Sequence, residues 1–175
     1  MSVLKSLLVY MALVFGANTA TADMYGISDL REGDMRKLVV HESPLAVSDT
    51  PFSLESGGDG QLSNYAGKIT VVNFWAVWCE PCRHEMPMLS GLQDQLGGED
   101  FEVVTIATGR NAPSAMQRFF DEIGVSNLPL HADPRMGMSR AMGVLGLPVT
   151  VILDRNGFEI ARLVGDADWN SDSAK

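Results

Sequence analysis

The sequence predicts an α/β domain built on a central mixed sheet flanked by helices, with a short N-terminal extension. Three observations predict it. Apolar runs of strand length recur at residues 69–75, 101–107 and 149–154. Segments of helical character separate them. An Asn-Gly turn at Asn156–Gly157 then returns the chain as a hairpin strand, adding an antiparallel edge to parallel, crossover-connected strands. The 175 residues are enough for one domain with a packed core, and 46% hydrophobic against 20% charged residues is a globular balance.

The N-terminus reads as an export signal. Lys5 precedes "SLLVYMALVFGA", and Ala20-Thr21-Ala22 offers a small-x-small cleavage site before Asp23. The apolar stretch is roughly 11 residues, short of the about 20 that span a membrane. Residues 1–22 are therefore expected to be a signal peptide or, if uncleaved, an N-terminal anchor, which is the only membrane attachment expected. Export points to a bacterial periplasm, where disulfides persist. The net charge of −9, without a Lys or Arg run, gives nucleic-acid binding no electrostatic footing.

Residues 23–44 are read as an N-terminal extension and 45–175 as the domain. "SDLREGDMRKLVV" has helical character, which prolines in "HESP" and "SDTP" break. "FSLESGGDGQLSNYAGK" reads as a short strand, a Gly-rich turn and a return to the core. "ITVVNFW" is a central strand with Phe74 and Trp75 in the core. A helix over 80–96, the buried strand "FEVVTIA" and a helix over 112–124 closed by Gly124 follow. "LPLHAD" holds a short strand, and "PRMGMSRAMG" a short helix ended by Gly143. Phe119 and Phe120 are adjacent, so one is expected inward and the other over a groove.

Both cysteines, Cys79 and Cys82, lie at the first strand-to-helix junction. Such a pair serves as a staple, as half a metal site or as a redox centre. A four-residue ring removes little chain entropy, which argues against a staple. Structural zinc needs four ligands, and His41, His84 and His131 are scattered. Export and the position before a helix favour the redox reading. Pro81 suits the first helical turn, whose free N–H groups and partial positive charge favour a thiolate at an exposed Cys79. Cys82, one turn deeper, is placed to resolve a mixed disulfide.

Steps of three and four from Cys82 reach Glu85, Met86, Leu89, Leu92 and Leu96. Glu85 thus falls inside an apolar stripe, where desolvation raises its proton affinity and suits it to exchange protons with a buried thiol. The competing reading has it snorkel outward or pair with Arg83 or Arg118. Glu80 is expected to be exposed, its charge opposing a Cys79 thiolate. Pro87 is expected to kink the helix without ending it. Met136, Met138 and Met142 suggest thioether ligands for Cu(I), but core packing explains them more simply. His84 reads as an ordinary exposed residue, and Trp78 as a surface lid beside Cys79.

"NFWAVWCEPC" resembles the active site of the thioredoxin superfamily, and "WCEPCRHEMPML" is similar to its TlpA-like branch with ResA and CcmG relatives. The resemblance covers roughly residues 45–169 and implies a thioredoxin-like fold and an exported thiol–disulfide oxidoreductase. It implies that Cys79 and Cys82 form a redox-active disulfide, that Glu85 moves protons, and that Pro148 in "GLPVTVILDRNG" is cis after Leu147. It further implies substrate contacts by Trp78, Glu80, Pro81, Leu147 and Pro148. No organic cofactor and no metal are expected. The implied partners are a protein disulfide or dithiol and a membrane electron donor of the thiol-reducing type. Apocytochrome c or copper-site cysteines are the implied substrates. An oxidase or isomerase, and a copper-binding assembly module without turnover, stand as alternatives. Two departures are visible: Asn73 stands where thioredoxin carries a buried Asp, and the chain stops at "DWNSDSAK", where Ser171 is only the N-cap of the usual last helix. Two readings stand: the sequence is truncated before that helix, or one sheet face is thinly covered.

Overall fold

The computed structural model describes residues 26–175, so the expected export segment lies outside the described residues. Short 3-10 turns at Ser28–Leu30 and Gly33–Lys37 lead into β1 (Val39–Leu45). The short strands β2 (Phe52–Ser53) and β3 (Asp59–Gly60) pair with each other. Then come β4 (Ile69–Trp75), α1 (Glu80–Leu96), β5 (Phe101–Thr108) and α2 (Pro113–Ile123). The chain ends with β6 (His131–Asp133), α3 (Gly137–Ala141), β7 (Val149–Leu153), β8 (Glu159–Val164) and a 3-10 turn at Asp172–Ala174. The described strands form one mixed sheet in the order β1-β8-β7-β4-β5-β6-β2-β3.

Side chains of β4 alternate between two cores, as the two-residue period of a strand requires. Val71 and Trp75 face a cluster built by α1, α2 and both ends of the described residues. Val72 and Phe74 face a second cluster with Phe52, Leu62, Met138 and Val151. Asn73 lies between Val71 and Trp75 and therefore faces α1.

Helix α1 matches its expected bounds and runs through Pro87, whose missing N–H costs one bond without ending the helix. Its buried stripe is Cys82, Glu85, Met86, Leu89 and Leu92. Leu96, at the last turn, is 38% exposed instead. Helix α2 ends at Gly124, whose φ of 71° is the left-handed conformation that a helix end favours in glycine.

Several expectations are corrected. Residues 39–45 form a strand, so Val39 and Val40 are extended and do not end a helix, and the segment expected as a proline break continues the strand. Pro44 is accommodated because β1 is an edge strand whose pairing with β8 shifts register between Val40 and Leu45. The expected boundary at 44/45 falls inside this strand. The helical stretch before it is broken into 3-10 turns around Gly33, with φ of 50°. β7 runs antiparallel to β4, not parallel. Only the five-residue α3 lies between β6 and β7, roughly 7–8 Å of helix, too short to carry the chain back along the sheet. Phe119 and Phe120 are both buried, with ring centres 4.9 and 5.2 Å from Trp75. The Arg83 guanidinium, 4.4 Å over the Phe119 ring, seals the side that helical geometry turns outward.

Among the described residues, no long helix follows β8 to cover the sheet face under α1. Segment 165–175 and the 3-10 turns of the extension cover it, with Trp169 only 1% exposed. They leave a cleft of about 560 Å³ bordered by Leu30, Met35, Leu92, Leu96 and Trp169.

Candidate functional site

β4 delivers the chain to the cysteines, and α1 begins on them. Cys79 is the N-cap of α1, and its Sγ accepts the Cys82 N–H at 3.3 Å. The Val77 N–H donates to Asn111 Oδ1 at 2.9 Å, tying the loop before the pair to the loop after β5. The two sulfurs are joined in a disulfide with an S–S distance of 2.06 Å. Cys79 is less open than expected: it is 5% exposed, while Cys82 is wholly buried. Bonded to Cys82 and folded over its amide, the Cys79 sulfur turns inward; any solvent approach to the pair is through Cys79.

Glu85 lies one turn along α1 and is completely buried. Oε1 accepts from Asn73 Nδ2 at 2.8 Å, and Oε2 accepts from the Trp169 indole N–H at 3.1 Å. Asn73 Nδ2 also donates to Thr150 Oγ1 at 2.9 Å, from the residue directly opposite on β7. Burial pushes the Glu85 carboxyl up to about 7, the Asn73 and Trp169 donors pull it down, and the Asp166 charge adds to the rise. The competing reading for Glu85 does not hold: the side chain is buried with both oxygens held by Asn73 and Trp169, and Arg83 pairs with Glu122 at 3.0 Å instead.

Glu80 and Pro81 are exposed on the first turn of α1, and Glu80 reaches the exposed His84 at 3.5 Å. Trp78 is 69% exposed beside Cys79. The Leu147–Pro148 peptide bond is cis. Leu147 and Trp78 border one cleft of about 290 Å³ with Arg110, Met136 and the fully exposed Leu145. Pro148 is buried and accepts the Gly165 N–H at 3.0 Å. The structure thus groups the expected residues in two places: Trp78 and Leu147 at the surface cleft, Glu85 beneath the pair. Met138 and Met142 are buried in the second core, away from solvent. Among the described residues, no three His, Cys, Asp or Glu side chains converge as metal ligands.

Three contributors carry no local signal in the sequence. Thr150 is one residue of an apolar strand, and Asn111 is one residue of a loop. Trp169 is marked only as a lone large apolar residue in the polar tail "DADWNSDSAK".

Residues 47–159 match the model of the AhpC/TSA family. The chain belongs to the AhpC/TSA family. Among its relatives is the thiol:disulfide interchange protein HelX of Rhodobacter capsulatus, 38% identical over 99 residues. That alignment covers 57% of this chain and 53% of HelX. The thiol-disulfide oxidoreductase ResA of Bacillus subtilis is 31% identical over 121 residues, covering 67% of this chain and 66% of ResA. This AhpC/TSA-family chain therefore spans just over half to two thirds of the relatives it matches. A secreted thiol-disulfide isomerase of Corynebacterium glutamicum shares the fold, with a TM-score of 0.64 at 19% identity over 78% of this chain and 87% of that one. The family's thioredoxin-like α/β fold is thus the one expected.

Proposed function

We infer that this chain is an exported thiol–disulfide oxidoreductase acting on protein cysteines through Cys79 and Cys82. The observation that carries this reading is the disulfide at the start of α1 with a desolvated carboxyl one turn below it. In the reduced protein, the Cys79 thiolate attacks a substrate disulfide. A bond forms between Cys79 Sγ and one substrate sulfur, and the other leaves as a thiolate. Glu85, as carboxylate, takes the Cys82 proton; Cys82 then attacks Cys79 Sγ and expels the second substrate thiolate. The enzyme ends oxidised, the substrate ends as two thiols, and an external dithiol donor must reduce Cys79–Cys82 again.

A carboxyl poised near 7 exchanges protons in both directions at neutral pH, which supports Glu85 as donor and acceptor. Trp78, Glu80 and Pro81 on one side of the pair, with Leu147 and Pro148 on the other, would hold the substrate segment. HelX and ResA are named as thiol–disulfide exchange proteins. That likeness and the export signal favour a periplasmic reductase fed by a membrane electron donor, acting in cytochrome c maturation or on copper-site cysteines.

The test is insulin-disulfide reduction together with the reduction potential of the pair. A value near thioredoxin's, about −270 mV, supports a reductant; one near about −120 mV makes the protein an oxidant. Tight Cu(I) binding with no thiol exchange would replace the enzyme reading by the copper-assembly module.

A further inference from the structure

Trp169 reaches Glu85 from 84 residues away in sequence, on a segment with no regular structure of its own until the 3-10 turn at Asp172. The N-terminal extension holds that segment, together with Gln95 of α1, whose Nε2 donates to Asn170 Oδ1 at 2.8 Å. Asp34 Oδ2 accepts the Asp168 N–H at 3.2 Å. Lys37, paired with Asp34 at 2.9 Å, donates to the Asp166 carbonyl at 3.2 Å. On the far side, Ser173 Oγ accepts the Glu32 N–H at 2.8 Å and donates to the Leu30 carbonyl at 2.9 Å. The two ends of the described chain therefore form a clamp, and the indole is its inner jaw.

We propose that Trp169 is a positioning residue for the thiol chemistry: its indole N–H fixes the Glu85 carboxylate beneath the cysteine pair, and residues 30–37 hold the tail that carries it. This rests on the reading of Glu85 as the proton-exchanging group. An N–H can only donate, so Trp169 favours the ionised acid. Asn73 also donates, through Nδ2, while its Oδ1 is buried without a hydrogen-bond partner among the described residues. Both donors are aimed at a carboxylate. Neither donor nitrogen can accept the O–H of the neutral acid, so both contacts weaken when Glu85 is protonated.

The groups facing Glu85 can be named from each element. α1 contributes Cys82, β4 contributes Asn73, and β7 contributes Thr150 through Asn73. The tail contributes Trp169, the Ala167 backbone and the charge of Asp166. Lys37 of the extension lies against the Asp166 carbonyl, and Glu122 of α2 is engaged by Arg83. Trp169 is thus one of two side-chain donors on the acid, and its loss is not offset by a cation in this shell.

The experiment is a pH titration of the Glu85 side-chain carboxyl by carbon-13 NMR in the full-length oxidised protein, for wild type and Trp169→Phe. The expected result is a midpoint raised by about one pH unit, a tenfold gain in proton affinity, with the fold retained. The pH profile of disulfide exchange should move the same way, and Trp169→Phe should add no shift in a Glu85→Gln background. An unmoved carboxyl midpoint in folded Trp169→Phe overturns the proposal. Should that variant fail to fold, the surface pair Asp34→Ala with Ser173→Ala decides: an upward shift supports the clamp, and an unchanged midpoint overturns it. The titration reads the acid without turnover. Absent exchange activity with a shifted midpoint would therefore sink the oxidoreductase reading and leave the positioning intact.

Discussion

Glu85 and Asn73 meet at 2.8 Å in a completely buried contact between the cysteine helix and the central strand. The carboxyl accepts and the amide donates, so the pair is matched to an ionised acid. Burial works against that ionisation, and burial is the larger effect.

The first consequence concerns stability. The native carboxyl titrates near 7 and the unfolded one near 4.5, so the folded protein holds a proton that the unfolded chain has released. Stability from this group is fully present below about 4.5 and is lost as pH rises through about 7. The gap, 7 − 4.5, converts to roughly 3 kcal/mol. Urea unfolding of oxidised protein from pH 4.5 to 8.5 should show wild type losing about that much more than Glu85→Gln. Parallel curves would mean the carboxyl is hydrated.

Asn73→Asp places a second carboxyl against the first. Two like charges at this distance cannot both ionise in a buried site, so one proton is retained by the pair well into the alkaline range. The variant should be less stable than wild type at pH 9 by a few kcal/mol and close to it at pH 5. Denaturant midpoints at the two pH values check this.

Cys82→Ser should stop turnover after the first exchange. Without the resolving sulfur, Cys79 stays bonded to its substrate. Incubation of the reduced variant with a protein disulfide should accumulate a covalent adduct, visible by mass spectrometry and lost on adding dithiothreitol. Cys79→Ser should give none.

The cleft beside the cis peptide exposes Trp78 and Leu145, two large apolar side chains that solvent alone does not reward. Trp78→Ala and Leu145→Ala should each raise KM for a protein disulfide by about tenfold while changing the rate with a small aromatic disulfide little. Equal losses on both substrates would place the defect at the disulfide itself.

What the sequence revealed and what it hid divide by the distance over which each feature is decided. Helix α1 is legible because its N-cap, its early proline and its apolar stripe are all local. The burial of Glu85 follows from that stripe. Trp169 does not, because its partner lies far off in the chain and its neighbours read as a solvated tail. Strand β1 is hidden by Pro44, which an irregular edge tolerates. The burial of both Phe119 and Phe120 depends on Arg83 from another helix, a contact that no periodicity predicts. The direction of β7 depends on how far α3 can carry the chain, a matter of length more than pattern.

The spacing between Glu85 and Trp169 has a consequence for assembly. A ribosome makes the cysteine helix 84 residues before it makes the indole, and the latest contact to form is also among the least local. Until the last stretch emerges and docks, the acid lacks its indole donor. Nascent chains therefore carry both sulfurs and the acid before they carry the indole that fixes it, and a chain cut short before residue 169 would keep Glu85 without that donor.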